Sequence, residues 1–290
     1  MEYHQDRFED ASMLIYKNDE LVALFPANKI NDTIHSHQGL TYGGLILDEK
    51  VKFKTILNGF KALLEYLYSQ GCKIIELKIV PSIYYKIPSE ELQYLMFLLN
   101  AKLSRRDTLS VIDLNAKITF SKDRIQGVKR AKKHELIIKE VDSFNEFWNK
   151  ILIPNLLQRH NTKPVHTIEE ITLLKQRFPK HIRQFNVYKN DVIVAGTTIF
   201  ETHRVAHSQY ISANIDKNEY GSLDVLHAHL IENIFKHKKY FDFGISNENK
   251  GRNINEGLQY WKEGFGARTV VQDFYSLDIK NASKLDAVLL

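Results

Sequence analysis

Residues 241–267 read FDFGISNENKGRNINEGLQYWKEGFGA and gather most of the side chains in this sequence that can do chemistry. Asp242 sits in a short alternating run, Phe241, Asp242, Phe243, Gly244, whose period of two puts both rings on one face and the carboxylate on the other. A carboxylate there can orient an amine or act as a base; equally it can cap a turn through loop N–H groups. Ser246, Asn247, Asn249 and Asn253 follow, able to hydrogen-bond a polar ligand or simply to build turns. Ile254, Leu258, Trp261 and Phe265 then recur at steps of four, three and four, one apolar stripe of a short helix, with Gly264 and Gly266 marking its end. Tyr260 lies beside Trp261, and Lys262 falls off the stripe. An acid, a row of amides and a lysine grouped this way predict a cleft.

A second cluster is cationic. Residues 117–139 hold eight Lys or Arg against Asp123 and Glu135. Lys129, Arg130 and Lys133 within it can meet a phosphate, or form a solvated basic face. Arg105, Arg106 and Asp107 read as a turn. Twelve histidines raise the question of a metal, and spacing answers against it. His227 and His229 diverge around a helix, His35 and His37 have no third ligand nearby, and His203 and His207 flank a turn. No G-x-S-x-G, Walker loop or G-x-G-x-x-G occurs.

The elements that must position these groups can be read from length and pattern. At 290 residues two domains are expected, and 43% apolar residues with 11% aromatics supply packed cores. Cys72 is the only cysteine, so no intrachain disulfide forms, and it reads as core beside a buried strand. The amino-terminal MEYHQDRFED is unlike a signal peptide, and no apolar run approaches a transmembrane span. These features predict a soluble, cytoplasmic protein. The net charge of +5 is mild and by itself indicates no nucleic acid.

Along the chain, residues 14–27 predict a hairpin around a polar turn, 35–47 an extended stretch, 53–68 an amphipathic helix and 73–80 a buried strand. A helix after Pro88 and an extended segment at 103–114 follow. The second half repeats this order. Tyr188-Lys189-Asn190-Asp191 is identical to Tyr16-Lys17-Asn18-Asp19, 172 residues earlier. After that hairpin come a strand at 205–214, a helix at 222–238, a strand at 240–246, a helix at 255–264 and a strand pair from 265 to 277. Before it stand a strand at 136–141 and helices at 142–160 and 167–178, the latter capped by Thr167. Two long copies make a duplicated domain. The expected division is 1–120, a basic inter-domain helix or linker at 121–134, and 135–290.

This order resembles the GNAT acyl-CoA N-acyltransferase fold, and two copies around a basic helix resemble its FemABX-like branch. The resemblance rests on Asp242-Phe243-Gly244, on Trp261-Lys262-Glu263-Gly264-Phe265-Gly266, on Tyr42-Gly43-Gly44 and on the basic helix 127–133. It implies a mixed α/β (α+β) chain of two GNAT-like domains in tandem, each a mostly antiparallel mixed sheet flanked by helices, the first truncated and the second complete. It implies transfer of an acyl group from acyl-CoA such as acetyl-CoA, or an aminoacyl group from aminoacyl-tRNA. The acceptor would be a small-molecule, glycan or peptide amine of a cell-envelope or surface-polysaccharide precursor. Lys262, Asp242 and Tyr260 would carry the chemistry, Tyr260 as leaving-group acid. Ser246, Asn247, Asn253, Tyr42, Lys129, Arg130 and Lys133 would bind substrate. Asn218, Tyr220, Gly221 and Ser222 occupy the place of the pyrophosphate loop, with a single glycine, Asn218 for the usual Gln or Arg, and Glu219 adding negative charge. The alternative is a non-catalytic tandem domain binding nucleic acid or a phosphorylated ligand through 117–139.

Overall fold

The tetrapeptide that occurs twice folds the same way twice. In the computed structural model, which describes residues 6–289, strands Met13–Lys17 and Glu20–Phe25 join through Asn18 and Asp19 at φ 47° and 66°. Strands Ile182–Lys189 and Val192–Glu201 join through Asn190 and Asp191 at φ 48° and 60°. Both turns are left-handed at two consecutive residues, the geometry that suits the twist of a two-residue hairpin and that Asn and Asp tolerate. Both hairpins also slip register immediately before the tyrosine, at Ile15/Tyr16 and at Val187/Tyr188. The first five residues of the amino-terminal run, read above for a signal peptide, lie outside the described residues.

The chain divides into two units. The first takes the described residues through Asp107, Asn249–Asn253, and the chain from Val271 onward. It contains β1 (Glu9–Asp10), β2 (Met13–Lys17), β3 (Glu20–Phe25), β4 (Asn28–Ile30), β5 (Thr33–His35), β6 (Ile46–Leu47), α1 (Phe53–Ser69), β7 (Ile74–Lys78) and α2 (Glu91–Leu98). One sheet runs β1, β4, β5, β7, with β5 and β7 parallel, and ends on residues 274–278 of the last strand. A smaller antiparallel sheet is β2, β3, β6. The core forms where α1 lays Ile56, Leu57, Phe60, Leu63, Leu64 and Leu67 on Ile34, Ile75 and Leu77. These units follow packing rather than the duplication, so the carboxyl-terminal strand joins the first unit instead of closing a segment 135–290.

Two local expectations change here. Residues 35–47 are mostly loop, with strand only at their ends. Arg105, Arg106 and Asp107 form no turn: they lie inside one strand, β8 (Lys102–Asp113). Their charges are paired within the sheet, one inside the strand and one with the last strand. Arg105 forks onto Asp107 at 2.9 and 2.6 Å, and Arg106 onto Asp273 at 2.5 and 2.8 Å.

The second unit is Thr108–Glu248 with Ile254–Val270. Its elements after β8 are α3 (Lys122–Lys133), β9 (Ile137–Val141), α4 (Ile153–His160), α5 (Ile168–Arg177), β10 (Ile182–Lys189), β11 (Val192–Glu201) and β12 (Val205–Ala213). Then come α6 (Lys217–Tyr220), α7 (Ser222–His229), β13 (Tyr240–Ile245), β14 (Asn247–Glu248), β15 (Asn253–Ile254), α8 (Glu256–Glu263) and the opening residues of β16 (Arg268–Asp278), the rest of which belongs to the first unit. The sheet runs β8, β13, β12, β11, β10, β9, antiparallel except at β12/β13. Leu226, Ala228, Phe241, Phe243 and Phe265 pack on one face, and Phe147, Trp148, Ile171 and Tyr210 on the other. Ser121 caps α3, Asn255 caps α8, and Thr167 with Glu170 forms a full capping box on α5. The helix expected at 142–160 starts at 145 and carries a π-helical stretch, Phe147–Leu152, and the one at 222–238 ends in another, Leu230–Ile234. Among the described residues no helix is long and apolar enough to cross a membrane.

Candidate functional site

The second unit's sheet opens at one point. β12 and β13 pair in parallel only at Val205↔Tyr240, Ala206↔Phe241 and His207↔Asp242. Past that fork, Ser208, Gln209 and Ile211 to Ala213 of one strand and Phe243 and Ile245 of the other line a cleft of about 700 Å³. Such a volume suits a small-molecule or cofactor-sized group.

Lys262 reaches the cleft from α8. Although it falls off the apolar stripe, it is only 2% exposed. Its Nζ donates to Gly244 O at 3.0 Å and Ile245 O at 2.6 Å, the two carbonyls that end β13. Gly244 sits at φ 69°, in the left-handed region that glycine adopts without strain. Burial lowers the lysine pKa to about 8, against an opposing pull from the Asp242 charge. The atom inventory follows. A neutral amine has two N–H groups, both taken by the carbonyls, and one lone pair, which is left for the cleft.

Asp242 faces away from the cleft. It is fully buried, accepts Gly244 N at 2.7 Å and meets His207 Nδ1 at 2.8 Å. The other ring nitrogen of His207 lies 3.1 Å from Gln209 Oε1. Gln209 is the residue that the β11/β12 register shift leaves without a cross-strand partner, and it lines the cleft. His207 and Asp242 therefore stitch the fork.

On the cleft face, Thr197 Oγ1 donates to Tyr210 O and lies 2.8 Å from Ser208 Oγ, so Ser208 donates to Thr197. His227 Nε2 is 3.4 Å from the same serine, while its Nδ1–H donates to Leu223 O at 2.9 Å. Complete burial lowers the His227 pKa to about 4, so the ring is neutral at pH 7 and too weak a base to deprotonate an amine there.

The remaining walls are cationic: Arg124, Arg130, Arg159 and Lys217, with Asp224 as the one lining carboxylate. Arg124 pairs with Asp224, Arg130 stands 3.8 Å from it, and Trp261 Nε1 donates to it at 2.9 Å. Burial raises the Asp224 pKa and the Arg124 charge opposes the rise. Glycine makes this corner possible. A Cβ on Gly127 of α3 would fall 1.7 Å from Asp224 Oδ2, and one on Gly221 would fall 2.1 Å from Gly127 O. Lys217 has its pKa lowered by burial and then by the like charge of Arg159.

Of the residues singled out from sequence, Lys262, Tyr260, Arg130 and Asn218 line this cleft. Tyr260 is exposed and its hydroxyl donates to Asp123 at 2.7 Å, a bond that raises its pKa. Ser246 is buried at the end of β13. Asn247 Oδ1 accepts Thr108 N at 2.7 Å and Oγ1 at 2.9 Å, so this amide builds the strand end. Asn253 accepts from Asn249 within the first unit, and Tyr42, also there, meets Tyr84 at 3.1 Å between hydroxyls. Lys129 and Lys133 are exposed on α3 outside the cleft lining. Tyr220 packs on His134 and under Lys189, Gly221 seats on α3, and Ser222 is buried at the start of α7, so the expected pyrophosphate loop gives the cleft Asn218 alone.

Sequence reasoning missed Arg124, Arg159, Lys217, Asp224 and Ser208, and weighed His207 and His227 only as metal ligands. Gly127 in a basic helix was the one available hint of a tight helix crossing. Among the described residues no group of three or more metal-ligating side chains forms.

No protein-family model matches the sequence, and no curated protein matches it either. Solved structures do. The fold is similar to FemX, with TM-score 0.67 and 10% identity over 98% of this chain and 92% of that one. It is similar to L-PGS from Bacillus licheniformis, TM-score 0.60 and 14% identity over 94% and 88%. A tandem GNAT protein from the clavulanic acid biosynthesis pathway gives TM-score 0.54 and 10% identity over 96% and 86%. The likeness is one of fold: this chain is a mixed α/β protein with the tandem GNAT-like architecture that the FemABX resemblance implied.

Proposed function

We propose that the chain is an N-acyltransferase whose second unit moves an acyl or aminoacyl group from a phosphate-bearing donor to an amine. The observation that carries this reading is Lys262: a buried amine with its pKa lowered to about 8, pinned by two strand-end carbonyls so that its lone pair is left for a cationic cleft at a strand fork. Acyl transfer to an amine needs a base of that strength. The acceptor nitrogen attacks the acyl carbon, forming the new C–N bond, and neutral Lys262 takes the proton from that nitrogen. A backbone N–H at the open strand ends can polarise the carbonyl; Gly244 N is not that group, since it donates to Asp242. The tetrahedral species then breaks its bond to the donor oxygen or sulfur, which receives the proton from Lys262. Tyr260 can supply that proton only after releasing Asp123, so it is assigned to the cleft wall.

Both donor classes, acyl-CoA and aminoacyl-tRNA, carry phosphates that Arg159, Lys217, Arg124 and Arg130 can meet. Asn218 alone from the loop position is a poor pyrophosphate cradle, which favours the aminoacyl-tRNA class. A cell-envelope or surface-polysaccharide amine as acceptor rests on the fold resemblance. The second reading, non-catalytic nucleic-acid binding, draws on the exposed Lys122, Lys129, Lys132 and Lys133 of α3.

Thermal unfolding with acetyl-CoA and with aminoacylated tRNA, followed by transfer assays on amine acceptors, tests the proposal. Donor at about a hundred times Kd stabilises by roughly 2.7 kcal/mol. The expected outcome is a shift by one donor, and transfer that Lys262→Met abolishes without loss of the shift. Undiminished transfer by that variant, or salt-sensitive tRNA binding that depends on Lys129 and Lys133 with no transfer at all, overturns it.

A further inference from the structure

The fork of the second unit holds an amide that the transfer described above does not use. Gln209 is half-buried and lines the cleft. The β11/β12 register shift, from Thr198↔Tyr210 to Ile199↔Ser208, leaves it out of the ladder. The parallel pairing of β12 with β13 stops at His207↔Asp242, so Gln209 stands two residues past the last pair on one strand, as Gly244 does on the other. Gly244 O is one of the two carbonyls that hold Lys262 Nζ. The amide and the amine therefore reach the cleft at one level, from opposite sides of the fork.

A chain of contacts fixes the amide. Asp242, fully buried, accepts Gly244 N through Oδ1 at 2.7 Å and meets His207 Nδ1 through Oδ2 at 2.8 Å. A carboxylate only accepts, so Nδ1 carries a hydrogen and the ring is held in one orientation. Its Nε2 then meets the Gln209 amide at 3.1 Å. An amide nitrogen has two hydrogens, so whichever end of the amide meets the ring, at least one N–H is left. No other hydrogen bond engages this side chain among the described residues, and its nitrogen keeps accessible surface. The first unit supplies the contrast. Its parallel pair β5/β7 ends at His35↔Glu76, ahead of a cleft of about 600 Å³ walled by Leu45, Leu47, Ile79 and Leu92, with Asp48 and Glu49 at its rim. Two residues past His35 stands His37, fully buried at φ 52° and outside that cleft's lining.

We propose that Gln209 is a catalytic residue of the transfer, its side-chain N–H donating to the carbonyl oxygen of the acyl group. His207 and Asp242 position it. As the acceptor nitrogen attacks, the π pair of the C=O bond moves onto that oxygen, and the N–H meets the charge that builds there. When the bond to the donor oxygen or sulfur breaks, the pair returns. This role rests on the transferase reading of Lys262.

Gln209→Met keeps the length of the side chain and removes its N–H. Steady-state transfer, with the donor-induced rise in melting temperature as the check on binding and folding, is expected to show kcat lower by about 10²-fold, KM within about threefold and the ionisation near 8 unmoved. Gln209→Glu keeps the shape and should lose at least as much, because it sets a carboxylate against the developing oxyanion; either variant alone decides. His207→Ala releases the amide and should lower kcat as well, while the double variant His207→Ala/Gln209→Met falls no further than Gln209→Met, where a purely structural histidine would add its own loss. Full kcat in both Gln209 variants while Lys262→Met is inactive, a loss confined to KM, or additive losses in the double variant would overturn this role and leave that of Lys262 standing. No transfer by the unaltered chain with either donor would overturn both.

Discussion

The two forks share a frame and differ in their chemistry. In each, a parallel strand pair stops at a histidine opposite a carboxylate, His35↔Glu76 in the first unit and His207↔Asp242 in the second. Past each pair lies a cleft. One is apolar with an acidic rim; the other is cationic and holds a buried lysine. The comparison teaches that the fork is scaffold, set by strand pairing, whereas the transfer we propose rests on what the following helix delivers: Lys262 from α8, and nothing titratable but Glu91 and Tyr94 from α2.

The largest effect should come from erasing that difference. Lys262→Met makes the second fork like the first, and transfer should fall by about 10²–10⁴-fold, the range of a general base. The same variant reports on stability with a definite sign. The folded-state pKa of Lys262 is about 8, below the ordinary 10.5, so the unfolded chain binds more protons between those values. Unaltered protein should therefore gain on Lys262→Met by about 1.4 kcal/mol per pH unit from pH 8 to about 10.5, followed by urea unfolding. His227 gives the acid limb. With its folded pKa lowered to about 4 from 6.5, it withdraws stability as pH falls from 6.5 towards 4, by about 3 kcal/mol in all.

Asp224→Asn probes the cationic corner that the first unit lacks. It strands Arg124 beside α7 and should cost about 3 kcal/mol in urea unfolding. Weakening the donor wall comes next. Arg159→Ala and Lys217→Ala should each loosen donor binding by about tenfold and flatten its salt dependence. The histidines sharpen the comparison most finely. His207→Ala should cost about 1–2 kcal/mol because it leaves buried Asp242 short of a partner. His35→Ala should cost under about 1 kcal/mol, since Glu76 acts on that ring against a larger burial effect. Equal costs would say that the two pairs do the same work.

Much of the fold was legible because it is written locally. The Tyr-Lys-Asn-Asp turns, the cap at Thr167 and the α1 stripe each depend on residues a few positions apart. The site was less so. Lys262 falls off the apolar stripe and yet is buried, because periodicity counts hydrocarbon and cannot see an amine satisfied by two carbonyls. Asp242 stood out as an acid at a strand end, but its partner His207 lies 35 positions away across a parallel pairing. Arg105, Arg106 and Asp107 looked like a turn because charge clusters usually mark one; in β8 they pair across the strand's own pleat and with Asp273. The two π-helical stretches shift helix register without any sequence mark that periodicity detects.

The central claim is that Lys262 is the base, and the pH dependence of kcat/KM for amine transfer tests it most directly. The account predicts a rate that climbs with pH and levels off above an ionisation near 8, with Lys262→Arg, which stays charged, folded but inactive across the range. A pH-rate profile without that ionisation, or substantial turnover by Lys262→Arg, would contradict it.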